Sequence, residues 1–189
     1  AICGETPACA TPVQYGKQYI DSADILAVTE VLRSPFLTCG PQISALEKKF
    51  CKLIGAKYAV AVSNGTAALH IACIAAGIGP GAASANCVSY CGGKPVFADI
   101  DPETYNIDPD AIEVCITPNT KAVIPVHYTG QSVAYDEIAR ICKKHGLLLI
   151  QDAAHAVGTR YKGNPIGSLG DMTCFSFHPV KTVTSGEGG

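Results

Sequence analysis

The sequence predicts an α/β fold in which helices cover both faces of a mainly parallel sheet. Short, continuous apolar runs alternate with longer segments of helical periodicity, and strands that are apolar throughout are typical of a sheet buried on both faces. The chain has 189 residues, of which 48% are hydrophobic and 16% are charged. A large core can therefore form, and disorder over most of the chain is not expected.

Helices are predicted where apolar periodicity coincides with start and stop signals. The segments are 21–32, which begins at the cap pair Asp21–Ser22; 41–55, which begins with a proline and ends at a glycine; 64–78; and 135–146, with basic residues in its last turn and a closing glycine. The apolar side of the first helix consists of Ile25, Leu26, Val28, Val31 and Leu32.

Strands are predicted for the short apolar runs. These are residues 58–62, 95–100, 122–126, 147–150 and 172–177, with a turn over 162–165 before the last of them. One connection is irregular. The strand at 58–62 and its following helix should lead to a returning parallel strand, but residues 82–87 predict another helix start. Either the topology is irregular here or a segment is absent near residues 81–82.

Charge and cysteine usage exclude several classes of protein. The formal net charge of −2 gives no electrostatic reason to expect nucleic acid or an anionic membrane as a partner. No leader or membrane-spanning run is present in the sequence, so a cytoplasmic location is expected. The ten cysteines are scattered without a CxxC motif and fit small buried side chains in a reducing compartment. Cys87 and Cys91 are one helical turn apart but have no partners at ligand spacing, so no metal site is predicted.

Lys181 is the strongest candidate for chemistry because of its surroundings. It lies in a stretch of small, hydroxylic and glycine residues, 175–189, in which Glu187 is the only other charged residue. Upstream, the apolar strand at 147–150 leads into Asp152. A lysine amine in such a loop and a carboxylate at the end of a buried strand suit pyridoxal phosphate (PLP). The lysine forms a Schiff base with its aldehyde, and the acid keeps its pyridine nitrogen protonated.

Three further groups would complete a site for this cofactor. Gly65 and Thr66 lie at a strand-to-helix turn, where free backbone N–H groups and the helix dipole favour a phosphate dianion. Ser176 could add a hydroxyl to the phosphate site. His155 follows Asp152 by three residues, which places both on the same side of the predicted site.

Each of these residues also has an ordinary structural interpretation, which the sequence leaves open. Residues 63–68 could be an N-cap on an alanine-rich helix, Asp152 a helix cap, His155 a packing histidine and Lys181 a solvated surface charge. Motifs that the sequence lacks argue against several other kinds of enzyme chemistry. The chain has no GxGxxG after a strand, no GxxxxGK[ST], no HExxH and no GxSxG, which disfavours nicotinamide-dinucleotide, P-loop, zincin and α/β-hydrolase chemistry.

Seven motifs, spread over almost the whole chain, give it its resemblance to a known family. They are residues 15–20 (YGKQYI), 37–41 (LTCGP), 62–69 (VSNGTAAL), 94–101 (KPVFADID), 125–131 (PVHYTGQ), 152–156 (DAAHA) and 175–181 (FSFHPVK). In these the chain resembles the PLP-dependent sugar-nucleotide aminotransferases of the DegT/DnrJ/StrS family, of the aspartate aminotransferase fold group (fold type I). The resemblance implies a three-layer, aspartate-aminotransferase-like large domain with a mainly parallel sheet.

The resemblance also implies a role for each candidate residue. Lys181 would carry the cofactor, Asp152 would pair with its pyridine nitrogen, and His155 occupies a place where the family often has Gln or His near the phenolic oxygen. The phosphate would be held by Gly65, Thr66 and Ser176. Family dehydratases replace the lysine with histidine, so the lysine here favours amino transfer.

In two respects the chain departs from the family. Members carry a strand and a loop where this sequence passes from Gly81 to Ala82, and that loop supplies an aromatic residue that stacks on the pyridine ring. Members also continue for about another domain beyond Gly189. We therefore expect an N-terminal arm over 1–19 and an incomplete PLP-binding large domain over 20–189, without the small C-terminal domain.

The activity implied by the resemblance is PLP-dependent transamination of a nucleotide-linked 4-keto-6-deoxy sugar, with L-glutamate as amino donor. The most similar subgroup aminates C4 of a UDP-4-keto-6-deoxy-N-acetylhexosamine, on the route to pseudaminic-type sugars of cell-surface polysaccharides. A homodimer is expected, since fold type I sites lie between two subunits. Three alternatives stay open: another fold type I PLP enzyme such as a lyase or desulfurase, a non-catalytic PLP-fold regulatory protein, and a plain α/β domain.

Overall fold

The computed structural model describes residues 18–78 and 85–189. The predicted arm up to residue 17 and the junction at 81–82 lie outside these ranges. Within them the chain forms six α-helices and five β-strands. The helices are α1 (Ser22–Arg33), α2 (Pro41–Ile54), α3 (Gly65–Ala75), α4 (Ala85–Tyr90), α5 (Pro109–Cys115) and α6 (Tyr135–His145). The strands are β1 (Ala122–Val123), β2 (Leu148–Asp152), β3 (Arg160–Tyr161), β4 (Asn164–Pro165) and β5 (Met172–Cys174).

A parallel sheet in the order β1-β2-β5 forms the centre of the described structure. One face of this sheet packs on α3 and α4, through a cluster that includes Ile150, Cys174 and Cys73. The other face packs on α5 and α6, through a cluster that includes Leu149, Val123 and Ile138. The two helical layers and the sheet between them confirm the predicted three-layer α/β fold.

The helix boundaries follow the local signals in the sequence. Asp21 caps α1 with a capping box: its carboxylate accepts from the N–H groups of Ala23 and Asp24, and the Asp24 carboxylate accepts from its N–H. Gly55 and Gly146 end α2 and α6 in the left-handed conformation, with φ of 71° and 65°. The apolar side of α1 is exposed, however. Its residues include none that is buried within the described structure.

Two predicted strands, 58–62 and 95–100, are wrong as members of the sheet. Residues 58–62 lie across a cavity of about 700 Å³ from β5, and residues 94–98 lie across a cavity of about 390 Å³ from β1. Neither segment forms a ladder with a neighbouring strand in the described structure. Of residues 95–100, Ile100 alone forms a bridge, antiparallel to Ile107.

The remaining differences are in length. The strand predicted over 122–126 is reduced to β1, because Pro125 has no N–H to donate; pairing resumes at a single bridge between Val126 and Asp152. The third helix ends at Ala75 rather than 78, and the last strand ends at Cys174 rather than 177. Helix α5 has no counterpart among the predictions.

The predicted turn over 162–165 is confirmed at Lys162 and Gly163, the tip of the β3–β4 hairpin, whereas residues 164–165 form β4. Lys162 and Gly163 have φ of 47° and 85°, as a two-residue turn of this kind requires. No helix within the described ranges is long and apolar enough to cross a membrane.

Candidate active site

The carboxyl ends of the parallel strands bring Asp152 and Ser176 to one edge of the sheet. Asp152 is the last residue of β2 and is in register with Cys174 of β5. The N–H of Ala153 donates to the carbonyl of Cys174 at 2.8 Å, which fixes the two strand ends side by side. Ser176 follows two residues later and is 6% exposed. This edge is where ligands bind in open α/β sheets.

The N-terminus of α3 is packed directly against Ser176. Gly65, the first residue of α3, is buried, and a Cβ at this position would lie 2.8 Å from the Ser176 Cβ and 3.2 Å from its Oγ. Only glycine permits this approach. The Asn64 carboxamide oxygen accepts from the N–H of Ala67 at 2.8 Å and caps the helix. The first turn of an 11-residue helix, with Thr66 exposed on it, thus faces a serine hydroxyl.

Lys181 lies in a loop whose two ends are joined by backbone hydrogen bonds. The N–H of Phe177 donates to the carbonyl of Gly188 at 2.9 Å, and the N–H of Ser185 donates to the carbonyl of Phe177 at 3.0 Å. The Nζ of Lys181 is 2.7 Å from the Nε2 of His155. Because a lysine ammonium has no acceptor, His155 accepts through Nε2 and carries its proton on Nδ1 when the lysine is charged.

The Asp152 carboxylate is the charged group on the sheet side of this site. Its Oδ1 accepts from the N–H of Ala154 at 3.0 Å. Burial, followed by the charge of Asp152, raises the pKa of the Cys174 thiol to about 12, and the same causes raise the pKa of the Cys87 thiol. Both thiols are therefore neutral at physiological pH. Cys87 contacts the site as well, since its Sγ lies 3.6 Å from the carbonyl oxygen of Thr66.

A buried histidine that was not predicted as a site residue supports the end of β2. The backbone N–H of His127 donates to the carbonyl of Asp152 at 2.9 Å. Its Nδ1 accepts from the N–H of Val133 at 3.3 Å, so the proton is on Nε2, which donates to the Oε1 of Gln151 at 2.9 Å. Burial lowers the pKa of His127 and keeps the ring neutral. The sequence places His127 directly after the predicted strand 122–126 and within the motif 125–131, but neither feature assigns it a role.

The Gln151 side chain extends this network below the site. Its Nε2 donates to the carbonyls of Ile166 and Leu169, at 3.1 and 2.6 Å, and lies 2.9 Å from the Oγ1 of Thr173. The polar atoms of this fully buried glutamine therefore all have hydrogen-bond partners, and these bonds hold β2 on the face opposite α3.

The structure brings the predicted residues together in pairs. Lys181 contacts His155, Gly65 contacts Ser176, and Asp152 and Ser176 share one sheet edge. In the described structure no ion pair joins Lys181 to Asp152; His155 lies between them in the chain and contacts the lysine. Neither of the two cavities named above is lined by any of these residues. Nor do the described residues contain a cluster of three or more side chains placed to bind a metal ion.

The donor set fits PLP. Because Gly65 packs closely on Ser176, the N–H groups of the first turn of α3 and the Ser176 hydroxyl lie together and can bind a phosphate. The thiols of Cys87 and Cys174 are neutral and carry no charge that would compete for Asp152, so its carboxylate can pair with a cationic ring nitrogen. Lys181 offers an amine that contacts His155, three residues after Asp152 in the chain. A three-layer α/β domain with this site belongs to the class of PLP-binding domains of aspartate-aminotransferase type.

Comparison with known proteins identifies the family. Residues 18–189 match the DegT/DnrJ/EryC1/StrS aminotransferase family, and the chain belongs to it. The chain is 48% identical over 185 residues to the spore coat polysaccharide biosynthesis protein SpsC of Bacillus subtilis, an alignment that covers 93% of the chain and 48% of SpsC.

Solved structures give the same result. Spr1654 of Streptococcus pneumoniae, described as a sugar aminotransferase and solved in PLP and PMP forms, superposes with a TM-score of 0.90 at 31% identity, covering 93% of the chain and 51% of that protein. PseC of Helicobacter pylori, an aminotransferase involved in the biosynthesis of pseudaminic acid, has a TM-score of 0.85 at 32% identity, covering 93% of the chain and 50% of PseC. The chain thus spans about half the length of these relatives.

Proposed function

We propose that this chain is the PLP-binding part of a sugar-nucleotide aminotransferase. The observation that carries the proposal is the 2.7 Å contact between the Nζ of Lys181 and the Nε2 of His155, at the same sheet edge as Asp152 and the Gly65–Ser176 contact. These contacts support a site built from an amine, a carboxylate and a helix N-terminus. Membership in the family, and relatives solved in PLP and PMP forms, support the choice of cofactor.

Lys181 would act both as the covalent anchor and as the proton carrier. When bound, PLP supplies an electron sink for a carbanion beside its aldehyde carbon. The Nζ of Lys181 would hold the cofactor through its aldehyde carbon, with loss of water, and as a free amine it would accept a proton from the donor's α-carbon and return one. His155 can accept a hydrogen bond from the lysine and so orient the amine.

Asp152 and the phosphate groups would position the ring. The Asp152 carboxylate would pair with the pyridine nitrogen, since only its Oδ1 has a backbone partner among the described residues. The α3 N-terminus at Gly65 and Thr66, together with the Ser176 hydroxyl, would hold the phosphate. These roles predict that substitutions at Asp152 affect ring protonation, whereas substitutions at Ser176 affect cofactor affinity.

For the complete protein we propose a nucleotide-linked 4-keto-6-deoxy sugar as amino acceptor, aminated at C4, and L-glutamate as donor. The support is the kinship with PseC and SpsC, whose descriptions refer to pseudaminic acid and to spore coat polysaccharide. A homodimer is proposed with it, since fold type I sites lie between subunits. A glutamate half-reaction separates this activity from a lyase or a desulfurase, because only a transaminase converts the cofactor to its amine form.

The decisive experiment traps the cofactor on the chain. PLP is added, the mixture is reduced with borohydride, and peptide mass spectrometry locates the cofactor. We expect visible absorbance and trapping at Lys181, and loss of both in Lys181→Ala. Lys162→Ala is the matched control, because Lys162 is an exposed lysine paired with Asp136 away from the site. Trapping at other lysines alone, or unchanged absorbance in Lys181→Ala, would refute the assignment.

A further inference from the structure

A strained backbone conformation occurs beside the candidate site, in the short turn over 128–130. The turn follows the bridge between Val126 and Asp152, so it begins at the sheet edge that carries the site. Within it, Thr129 has φ of 52° and ψ of 18°, in the left-handed region. A β-branched residue rarely adopts this conformation, because its Cβ crowds the backbone. Such residues persist where the surrounding structure fixes them, and they concentrate at functional sites.

A buried asparagine from a distant part of the chain fixes this turn. The Asn106 side chain is 4% exposed, and its Oδ1 accepts from the N–H of Tyr128 at 3.0 Å. Its Nδ2 donates to the carbonyls of Gln131 and Ser132, at 3.4 and 3.3 Å. These bonds hold the backbone on both sides of Thr129, so its strained conformation is imposed by tertiary structure.

The turn also contacts the backbone beside Lys181. A Cβ at Gly130 would lie 2.9 Å from the carbonyl oxygen of His155, and the Thr159 Oγ1 donates to the Gly130 carbonyl at 2.7 Å. From the other side, the Thr182 Oγ1 donates to the same His155 carbonyl at 3.5 Å. The turn and the Lys181 loop therefore meet at one carbonyl group.

Two exposed side chains, Tyr128 and Thr129, lie on this fixed turn. The Oγ1 of Thr129 donates to the carbonyl of Tyr128 at 2.7 Å. Because a hydroxyl has a single proton, this oxygen can only accept a hydrogen bond from a ligand. It therefore suits an O–H or N–H group and does not suit a carboxylate oxygen, which has no proton to donate.

We propose that the turn over 128–130 recognises the sugar of the amino acceptor. The Thr129 oxygen accepts from a hydroxyl or amide N–H of the sugar, and the exposed Tyr128 ring packs on the apolar face of the pyranose. A sugar offers both features, whereas the carboxylates of an amino acid donor only accept hydrogen bonds. The strained conformation holds the oxygen in one direction before the ligand binds. This inference rests on the proposed aminotransferase function and adds a specificity-determining residue to it.

The test measures the affinity of the PLP-loaded chain for UDP-N-acetylglucosamine, and for UDP as the probe without a sugar, by isothermal titration calorimetry. Thr129→Val keeps the branched shape and the strain but removes the oxygen. It should weaken binding of UDP-N-acetylglucosamine about three- to tenfold and leave binding of UDP unchanged. Thr129→Ser keeps the hydroxyl and should leave both affinities unchanged.

Thr129→Gly separates recognition from a purely structural role. Glycine adopts φ above 0° without steric cost, so this variant should raise the Tm by about 2 °C while it weakens binding of UDP-N-acetylglucosamine. A residue with only a structural role would not lose ligand affinity on a stabilising substitution. Lys162→Gly is the matched control, because Lys162 has φ of 47° in the β3–β4 hairpin and should not affect binding of the sugar.

Either of two results would overturn the proposal. One is an affinity for UDP-N-acetylglucosamine that is unchanged in Thr129→Val, or that falls by the same factor as the affinity for UDP. The other is an unsubstituted chain that binds UDP-N-acetylglucosamine no more tightly than UDP, including the case in which neither binds. Borohydride trapping at Lys181 in the same samples tests the proposed function separately. Trapping without a sugar contact would remove this inference alone, whereas loss of trapping in the unsubstituted chain would remove the proposed function.

Discussion

Gly65→Ala is the most informative substitution for the phosphate end of the site. The added methyl would lie 2.8 Å from the Ser176 Cβ, 3.2 Å from its Oγ and 3.3 Å from the carbonyl oxygen of Phe175. The Ser176 Cβ is attached directly to the backbone and the Phe175 oxygen is part of it, so neither can move away as the end of a flexible side chain could. The first turn of α3 must shift away from Ser176, which also displaces the N–H groups proposed to hold the phosphate.

The expected magnitude follows from two opposing effects. Overpacking of this kind costs about 1–3 kcal/mol. Replacing glycine by alanine in a helix stabilises the folded state by about 1 kcal/mol, because alanine has the higher helix propensity. The net destabilisation is therefore roughly 0–2 kcal/mol, with about 1 kcal/mol as the central value, which corresponds to a decrease in Tm of about 2–4 °C for a chain of this size.

Urea unfolding of a double-mutant cycle with Ser176→Gly measures the contact itself. Removing the serine side chain eliminates two of the three close atoms, so Gly65→Ala should cost less in that background, with a coupling of about 1 kcal/mol. Gly77→Ala is the control: it is strained by its φ of 65° but has no atom within 4 Å of the added Cβ, and should show no coupling. Zero coupling for Gly65→Ala would refute the packing of α3 on Ser176.

Three further predictions concern groups around β2 and β5. The folded state depresses the pKa of His127, so only the unfolded state gains its proton as the pH falls below about 6.5; the free energy of unfolding should decrease between pH 7 and 5, and less so in His127→Gln. Gln151→Leu removes the hydrogen-bond acceptor of the buried His127 Nε2–H and should lower the free energy of unfolding, measured in urea, by about 1–3 kcal/mol. A decrease below about 0.5 kcal/mol would contradict the network. In iodoacetamide labelling at pH 8, the exposed Cys39 should react in the native protein, but Cys174, with a pKa of about 12, only after unfolding.

Features that depend on neighbouring residues in the chain could be predicted from the sequence. The caps of α1, α2 and α6 depend on Asp21, Pro41, Gly55 and Gly146, each within one turn of the helix end it fixes. The position of Asp152 could be predicted for a similar reason, because the apolar run before it indicates a buried strand that ends at this residue. The family resemblance then assigned the residues individually, and those assignments stay predictions.

Features that depend on distant partners could not be predicted in this way. Residues 58–62 have the composition of a buried strand, yet a ladder also needs a neighbouring strand. The cavity of about 700 Å³ lies between these residues and β5. The role of His127 requires three partners, Asp152, Val133 and Gln151, from different parts of the chain. A lone histidine in a sequence carries no sign of such a network, since its burial is decided by tertiary packing.

The conformation of the loop that contains Lys181 is determined by hydrogen bonds to its backbone rather than by the lysine side chain. Both backbone groups of Phe177 are bonded across the loop, to Gly188 and Ser185, and the Gln18 side chain donates to the carbonyl of Pro179 at 2.7 Å. None of these bonds uses the side chain at position 181. A substitution there should therefore leave the loop in place, so loss of cofactor trapping in Lys181→Ala can be assigned to chemistry. The same independence would let a histidine replace the lysine without a change of fold.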